Sequence, residues 1–216
     1  MKKLFFIYTI PQFYDRLYRP VMAEAFDADE NVEVRFTMDN SVLLDTLSND
    51  VVPTALTKRR LLRLMENCQD AGADCIVVGC TAINTATKEL AAMIDVPVLS
   101  VDEPMIQKVL KDGRKKVAVL SHTQINAMTI QRRLQAEDPS IEVDLYPVEG
   151  AADDMNEGRQ ESFSARMRAG ALAIPAGYDA IVLGHISAEN VDLSGIDTPV
   201  YRTGEACVEA IRAALK

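Results

Sequence analysis

Residues 72–81, Gly72-Ala73-Asp74-Cys75-Ile76-Val77-Val78-Gly79-Cys80-Thr81, return as residues 177–186, Gly177-Tyr178-Asp179-Ala180-Ile181-Val182-Leu183-Gly184-His185-Ile186, with five identities in ten. Each copy is an apolar run opened by Gly-x-Asp and closed by glycine. That pattern suits a short strand buried on both faces of a parallel sheet. Working outward, Lys2-Lys3-Leu4-Phe5-Phe6-Ile7-Tyr8 is echoed by Lys115-Lys116-Val117-Ala118-Val119-Leu120-Ser121. Val32-Glu33-Val34 is echoed by Ile141-Glu142-Val143, and Pro97-Val98 with Glu103 by Pro199-Val200 with Glu205. A repeat of roughly one hundred residues is a duplicated domain, since solenoid periods run about 20 to 50.

Between the apolar runs the spacing predicts helices over 13–26, 54–70, 84–93 and 105–110; in the second of these Leu61, Leu64, Met65 and Cys68 recur at helical intervals before Gly72. Strands alternating with helices predict an α/β fold of two pseudosymmetric lobes, each with a central parallel sheet of about four strands flanked by helices. The first lobe is expected over residues 1–100, joined by a C-terminal helix over 204–216, and the second over 101–203.

With 216 residues, 48% of them hydrophobic and 25% charged, the chain can bury a core without metals or disulfides. Thirty-two acidic against 23 basic residues give a net charge of −9, which argues against nucleic acid or an anionic membrane surface as partner. A small molecule is the better default. The four cysteines, Cys68, Cys75, Cys80 and Cys207, form no CxxC pair, and only His122 and His185 could join them as soft ligands, so no metal site is expected. Free thiols point to a reducing cytoplasm. The apolar start Leu4-Phe5-Phe6-Ile7 meets Tyr8, Thr9 and Pro11 too soon for a signal peptide and reads as a first strand. No GxGxxG or GxxxxGK loop for a nucleotide is present.

In open parallel sheets ligands bind beyond the carboxyl ends of the strands. The candidates are therefore Thr9, Cys80-Thr81, Ser121-His122-Thr123 and His185-Ile186-Ser187. If the lobes face one another about a pseudo-twofold axis, Cys80 and His185 stand on opposite sides of one cleft as two proton-transfer groups. Cys80 follows a strand-ending glycine and precedes a helix, whose free N–H groups and dipole favour a thiolate. Cys68, Cys75 and Cys207 read as core thiols. His185 titrates near neutrality as an isolated imidazole, with a hydrogen-bonded structural histidine as the alternative. Thr81, Asn84 and Ser187 suit either a substrate carboxylate or helix caps. Ser121, His122 and Thr123 suit either a carboxylate or a turn. Asp153, Asp154 and Glu157 read as a solvated segment.

The run from Gly72 to Thr81, followed by Val96-Pro97-Val98 and a Lys-Lys-apolar strand, resembles the Asp/Glu racemase superfamily over nearly the whole chain. That superfamily includes aspartate, glutamate and hydantoin racemases, maleate cis-trans isomerases and arylmalonate decarboxylases. The resemblance implies two lobes that each offer a strand-end cysteine, and chemistry without pyridoxal phosphate or any other cofactor. The first cysteine falls on Cys80 and the second on His185, a departure from the two-thiol pattern. Tyr8-Thr9-Ile10-Pro11 also replaces the family's glycine-rich loop. The implied activity is racemisation or isomerisation at the carbon beside a carboxylate of a small amino acid or dicarboxylic acid, with Cys80 as acid, base or nucleophile and His185 opposite. The alternatives are a one-cysteine decarboxylase or cis-trans isomerase, and a ligand-binding protein of the same fold without catalysis. A homodimer or higher homo-oligomer is compatible with all of these.

Overall fold

The computed structural model describes residues 1–216, the side chain of Arg16 excepted. The chain divides into two compact units, residues 1–104 with 204–216, and residues 105–203. In the first unit the strands β1 (Lys2–Tyr8), β2 (Val32–Met38), β3 (Cys75–Val78) and β4 (Val98–Ser100) form an all-parallel sheet in the order β2-β1-β3-β4. In the second, β5 (Lys116–Ser121), β6 (Glu142–Pro147), β7 (Ala180–Leu183) and β8 (Val200–Tyr201) repeat that order as β6-β5-β7-β8, again all parallel. The α/β expectation, a four-stranded parallel sheet in each half, holds.

The repeated Gly-x-Asp has a structural cause. Asp74 Oδ2 accepts the Lys3 amide at 2.8 Å, and Asp179 Oδ2 accepts the Lys115 and Lys116 amides at 3.0 and 2.9 Å. Each carboxylate thus ties the entry of the third strand of its unit to the first, and these amide donors hold both carboxyls below their ordinary range. The helix Ala55–Asp70 starts where the Thr54 hydroxyl accepts the Thr57 amide at 3.1 Å. It buries Leu61, Met65 and Cys68 against Phe5, Ile7, Ile76 and Val78 of the sheet. Each large apolar side chain so buried contributes about 1.5–3 kcal/mol. The second unit packs Phe163, Met167 and Ala171 of the helix Gln160–Leu172 against Ala118, Leu120, Ile181 and Leu183 in the same manner.

One expectation is refined and one corrected. The segment 13–26 is helical as expected but irregular: a π-helical turn at Tyr14–Tyr18 runs into Arg19–Val21 and, after a break at Met22, Ala23–Phe26. Pro20 supplies no amide to an i→i−4 bond, and the turn before it widens, with the Arg19 amide on Tyr14 O. Its aromatic residues, not helical periodicity, hold the segment down: the Tyr8 and Phe13 rings stack at 5.1 Å, and Tyr18 meets Phe6 and Phe36 edge-on at 5.1 and 4.9 Å. Asp154, by contrast, is not solvated. It lies in the helix Ala151–Asn156 with its side chain 2% exposed, accepting from Arg159 Nε (2.7 Å), Arg166 Nε (2.7 Å) and Ser162 Oγ (2.6 Å). These donors, Ser162 first, draw its pKa down to about 2. Among the described residues no helix is long and apolar enough to cross a membrane, and no group of three or more His, Cys, Asp and Glu is placed to hold a metal ion.

Candidate active site

In each sheet the first strand of the unit pairs with the second on one side and the third on the other, so the chain reverses its direction of winding there. The carboxyl ends of β1 and β3, and of β5 and β7, are the topological switch points where parallel sheets open a crevice. Equivalent amides close the ladder at both: Gly79 N–H bonds Ile7 O, and Gly184 N–H bonds Leu120 O, each at 2.8 Å. Thr9 and Cys80 follow at one switch point, His122 and His185 at the other.

Both switch points need their glycine. A Cβ on Gly79 would lie 2.4 Å from Cε2 of the buried Phe13, and one on Gly184 would lie 3.0 Å from Ser121 Cβ. Phe13 therefore presses on the strand end that carries Cys80, and Ser121 on the one that carries His185.

Cys80 is extended (φ −143°, ψ 108°) and leads into the 3₁₀ turn Thr81–Ile83 and the helix Asn84–Ala91. Its sulfur is hydrogen-bonded by the Thr9 side chain and by the Ala82 and Ile83 amides, all of which favour the thiolate. Burial outweighs them, the charge of Asp102 adds to it, and the thiol is pushed up from its ordinary value. The expectation of a thiolate stabilised by a helix end is thus corrected: Cys80 is a protonated thiol at rest, with three donors placed to receive the anion. It is 8% exposed, against 2% for Cys68 and 0% for Cys75 and Cys207, and all four are free thiols. Burial lifts Cys68 to about 11 and Cys75 to about 12.

Thr81 and Asn84 are buried beside Cys80 in sequence, but neither side chain serves as a cap. Asn84 Nδ2 donates to Asp102 Oδ1, and Asn84 Oδ1 has no hydrogen-bond partner among the described residues. Asp102 was not singled out from sequence. Its position just beyond β4 is the signal that finds it, because every other candidate was found by that rule.

At the other switch point His185 is also extended (φ −162°, ψ 143°) and leads into the 3₁₀ turn Ile186–Ala188. The Ser187 amide donates to His185 Nδ1 at 3.2 Å, and Ser187 Oγ stands 3.0 Å from the same nitrogen and 3.5 Å from His122 Nδ1. The two imidazoles meet edge to face, centroids 4.8 Å apart at 73°, and His122 also meets Phe163 at 6.0 Å. Burial pulls both down, His122 to about 4, and the neighbouring His122 adds to the lowering of His185, so both are neutral at neutral pH. Ser121 is buried, its Oγ 3.5 Å from the Thr123 amide. The Thr123 hydroxyl is committed to the cap of the helix Gln124–Glu137, accepting the Asn126 amide at 3.1 Å.

An Asp–Arg–Ser network lies beyond each second strand, and neither was anticipated as such. Asp39 binds Arg60 (2.7 Å) and the Ser41 amide (3.0 Å) after β2, as Asp154 binds Arg166 and Ser162 after β6. The serines lie within eight residues of their aspartates, while the arginines arrive from the following helices, 21 and 12 residues on.

Among curated proteins no sequence matches this chain. Among solved structures it is similar over its full length to a Yersinia pestis protein of Asp/Glu racemase type (TM-score 0.71, 17% identity, all of both chains covered). It is also similar to the Picrophilus torridus aspartate racemase (0.69, 17%, covering 100% of this chain and 96% of that one). The Aquifex pyrophilus glutamate racemase follows with 0.59 and 19%, covering 99% and 84%. At such identities these likenesses speak for the fold. The sequence itself matches the Asp/Glu/Hydantoin racemase family model over residues 16–211, and the chain belongs to that family.

Proposed function

We propose that this chain is a cofactor-independent isomerase of racemase type that moves a proton at the carbon beside a carboxylate of a small amino acid or dicarboxylic acid, with Cys80 as the group that carries the proton. The observation that supports this reading most is the environment of Cys80: a protonated thiol at a topological switch point, with the Thr9 hydroxyl and the Ala82 and Ile83 amides already directed at its sulfur. The Cys80 proton passes first to solvent water; the thiolate so formed, held by the three donors already in place, takes the α-proton and, as a thiol again, returns it to the substrate carbanion, so that no reorganisation is needed. Thr81 and Ser121 are buried hydroxyls beside the two switch points and suit the substrate carboxylate. His185 suits a different task from Cys80. Its Nδ1 accepts the Ser187 amide, so the neutral ring carries its proton on Nε2 and offers an N–H donor to an oxygen on which charge grows as the α-proton leaves.

A second reading is favoured by the repeat, which puts His185 at the position of Cys80. In it His185 is a second group that exchanges protons with the substrate, and Nδ1 must leave Ser187 for that. The experiment for the main reading is a screen of small amino and dicarboxylic acids for α-deuterium incorporation in D2O, with wild type and Cys80→Ala. Exchange by wild type, reduced on the order of 10²- to 10⁴-fold by the substitution, is expected for loss of a general acid–base group. Equal exchange by both proteins, or none by wild type with any acid, contradicts it.

A further inference from the structure

His122 and His185 are the two histidines of the chain, and donor counting at Ser187 distinguishes them. Ser187 has two protons to give, one on its amide and one on its hydroxyl. The amide goes to His185 Nδ1 at 3.2 Å. That nitrogen is therefore an unprotonated acceptor, and the hydroxyl oxygen 3.0 Å away can meet it only as a donor, sharing the single lone pair with the amide in a bifurcated bond. The hydroxyl proton is then spent, and the contact between Ser187 Oγ and His122 Nδ1, long at 3.5 Å, is completed only if His122 Nδ1 carries a proton. The edge-to-face approach of the rings, 73° at 4.8 Å, leaves both Nδ1 atoms on the one hydroxyl.

We infer that His122 is a positioning residue: through Ser187 it locks His185 with its proton on Nε2, while His122 itself holds the opposite tautomer, with its proton on Nδ1. Among the described residues the Ser187 hydroxyl has hydrogen-bond contacts with these two imidazoles alone. Without the His122 donor that hydroxyl is free to turn from His185, and His185 Nδ1 keeps the amide alone. His122 thus acts on the substrate through His185 and not as a carboxylate ligand, the role its sequence position first suggested. The inference rests on the proposed role of His185 only for its consequence in catalysis; the tautomers themselves are a property of the free protein.

The experiment is two-bond ¹H–¹⁵N correlation of the imidazole rings at neutral pH without substrate, on wild type, His122→Asn, His122→Phe and Ser187→Ala. In wild type one ring is expected as the Nε2–H tautomer and the other as the Nδ1–H tautomer, and the ring left in either His122 variant identifies the first as His185. Asparagine keeps an amide donor near the place of Nδ1 and should leave His185 in the wild-type tautomer. Phenylalanine keeps the packing against His185 and Phe163 but no donor, and should shift the His185 nitrogens toward tautomer averaging, as should Ser187→Ala. Two identical tautomers in wild type, an Nδ1–H His185, or a His185 signal unmoved by both His122→Phe and Ser187→Ala overturns the inference. Wild-type tautomers as expected, together with α-exchange that ignores Cys80→Ala, overturns the proposed function and leaves the positioning intact.

Discussion

The ends of β3 and β7 are one backbone design carrying two chemistries. At Cys80 and at His185 the chain is extended, follows a glycine whose amide closes the same ladder bond, and enters a 3₁₀ turn. In both, the amide two residues on, from Ala82 or Ser187, donates to the side chain of the strand-end residue. In one that side chain is sulfur and in the other Nδ1, so the imidazole nitrogen occupies the place of the thiol in the hydrogen-bond scheme. The residue beside each, Thr9 or His122, differs to match. What the comparison teaches is that a turn amide which stabilises a thiolate instead withdraws a lone pair from an imidazole. In the proposed function the same scaffold makes Cys80 a proton carrier and His185 a donor.

The largest effect that would break this comparison concerns charge at the second switch point. His122 and His185 have folded pKa values below that of an exposed histidine, so the unfolded chain binds more protons between the two values. Stability is therefore complete above the unfolded value near 6.5 and is lost as pH falls through it toward about 4. Chemical denaturation across this window should show a slope approaching about 1.4 kcal/mol per pH unit for each buried histidine, and His122→Phe should remove part of it. A flat profile in wild type would mean that the rings are charged or exposed.

The two glycines sharpen the contrast at smaller cost. Gly79→Ala drives a methyl into the Phe13 ring, an overpacking of about 1–3 kcal/mol, and should move the Cys80 end with it. Gly184→Ala meets Ser121 at 3.0 Å and should cost less. Thermal or urea unfolding of the two variants in parallel checks this, and a larger loss from Gly184→Ala would reverse the account of which end is tightly packed.

The smallest effect is chemical. Iodoacetamide at neutral pH should label Cys80 ahead of the other three thiols, because it is the most exposed of them and has donors for the anion, yet slowly, since its thiol is pushed up. The rate should climb through pH 9. Fast labelling at pH 7, or labelling of Cys68 or Cys207 first, would show that burial does not govern Cys80.

Much of this was legible in the residues. Gly-x-Asp, the four-residue apolar runs and the closing glycines are local features, and their repetition after roughly one hundred residues is written in sequence order. Strand-end position alone nominated Thr9, Cys80, His122 and His185. What was illegible depends on distance in space. The helix expected over 13–26 is there but irregular, because Pro20 and the aromatic contacts with Phe6 and Phe36 shape that segment. The pKa of Cys80 failed because a helix end is a local cue, whereas desolvation is set by the surrounding core. Asp102 meets Asn84 across 18 residues, and Asp154 meets Arg159, Ser162 and Arg166 across the turn between two helices, at separations of 5, 8 and 12 that match no single periodicity.

The most direct test of the asymmetry between the two strand ends is α-proton exchange measured side by side in Cys80→Ala and His185→Gln, with the substrate found for wild type. Glutamine keeps an N–H donor near the position of Nε2 but takes up no proton. The account predicts that Cys80→Ala loses exchange on the order of 10²- to 10⁴-fold, while His185→Gln stays within about tenfold of wild type. Exchange abolished by His185→Gln as thoroughly as by Cys80→Ala would show that His185 carries a proton itself, and the single-thiol account would be wrong.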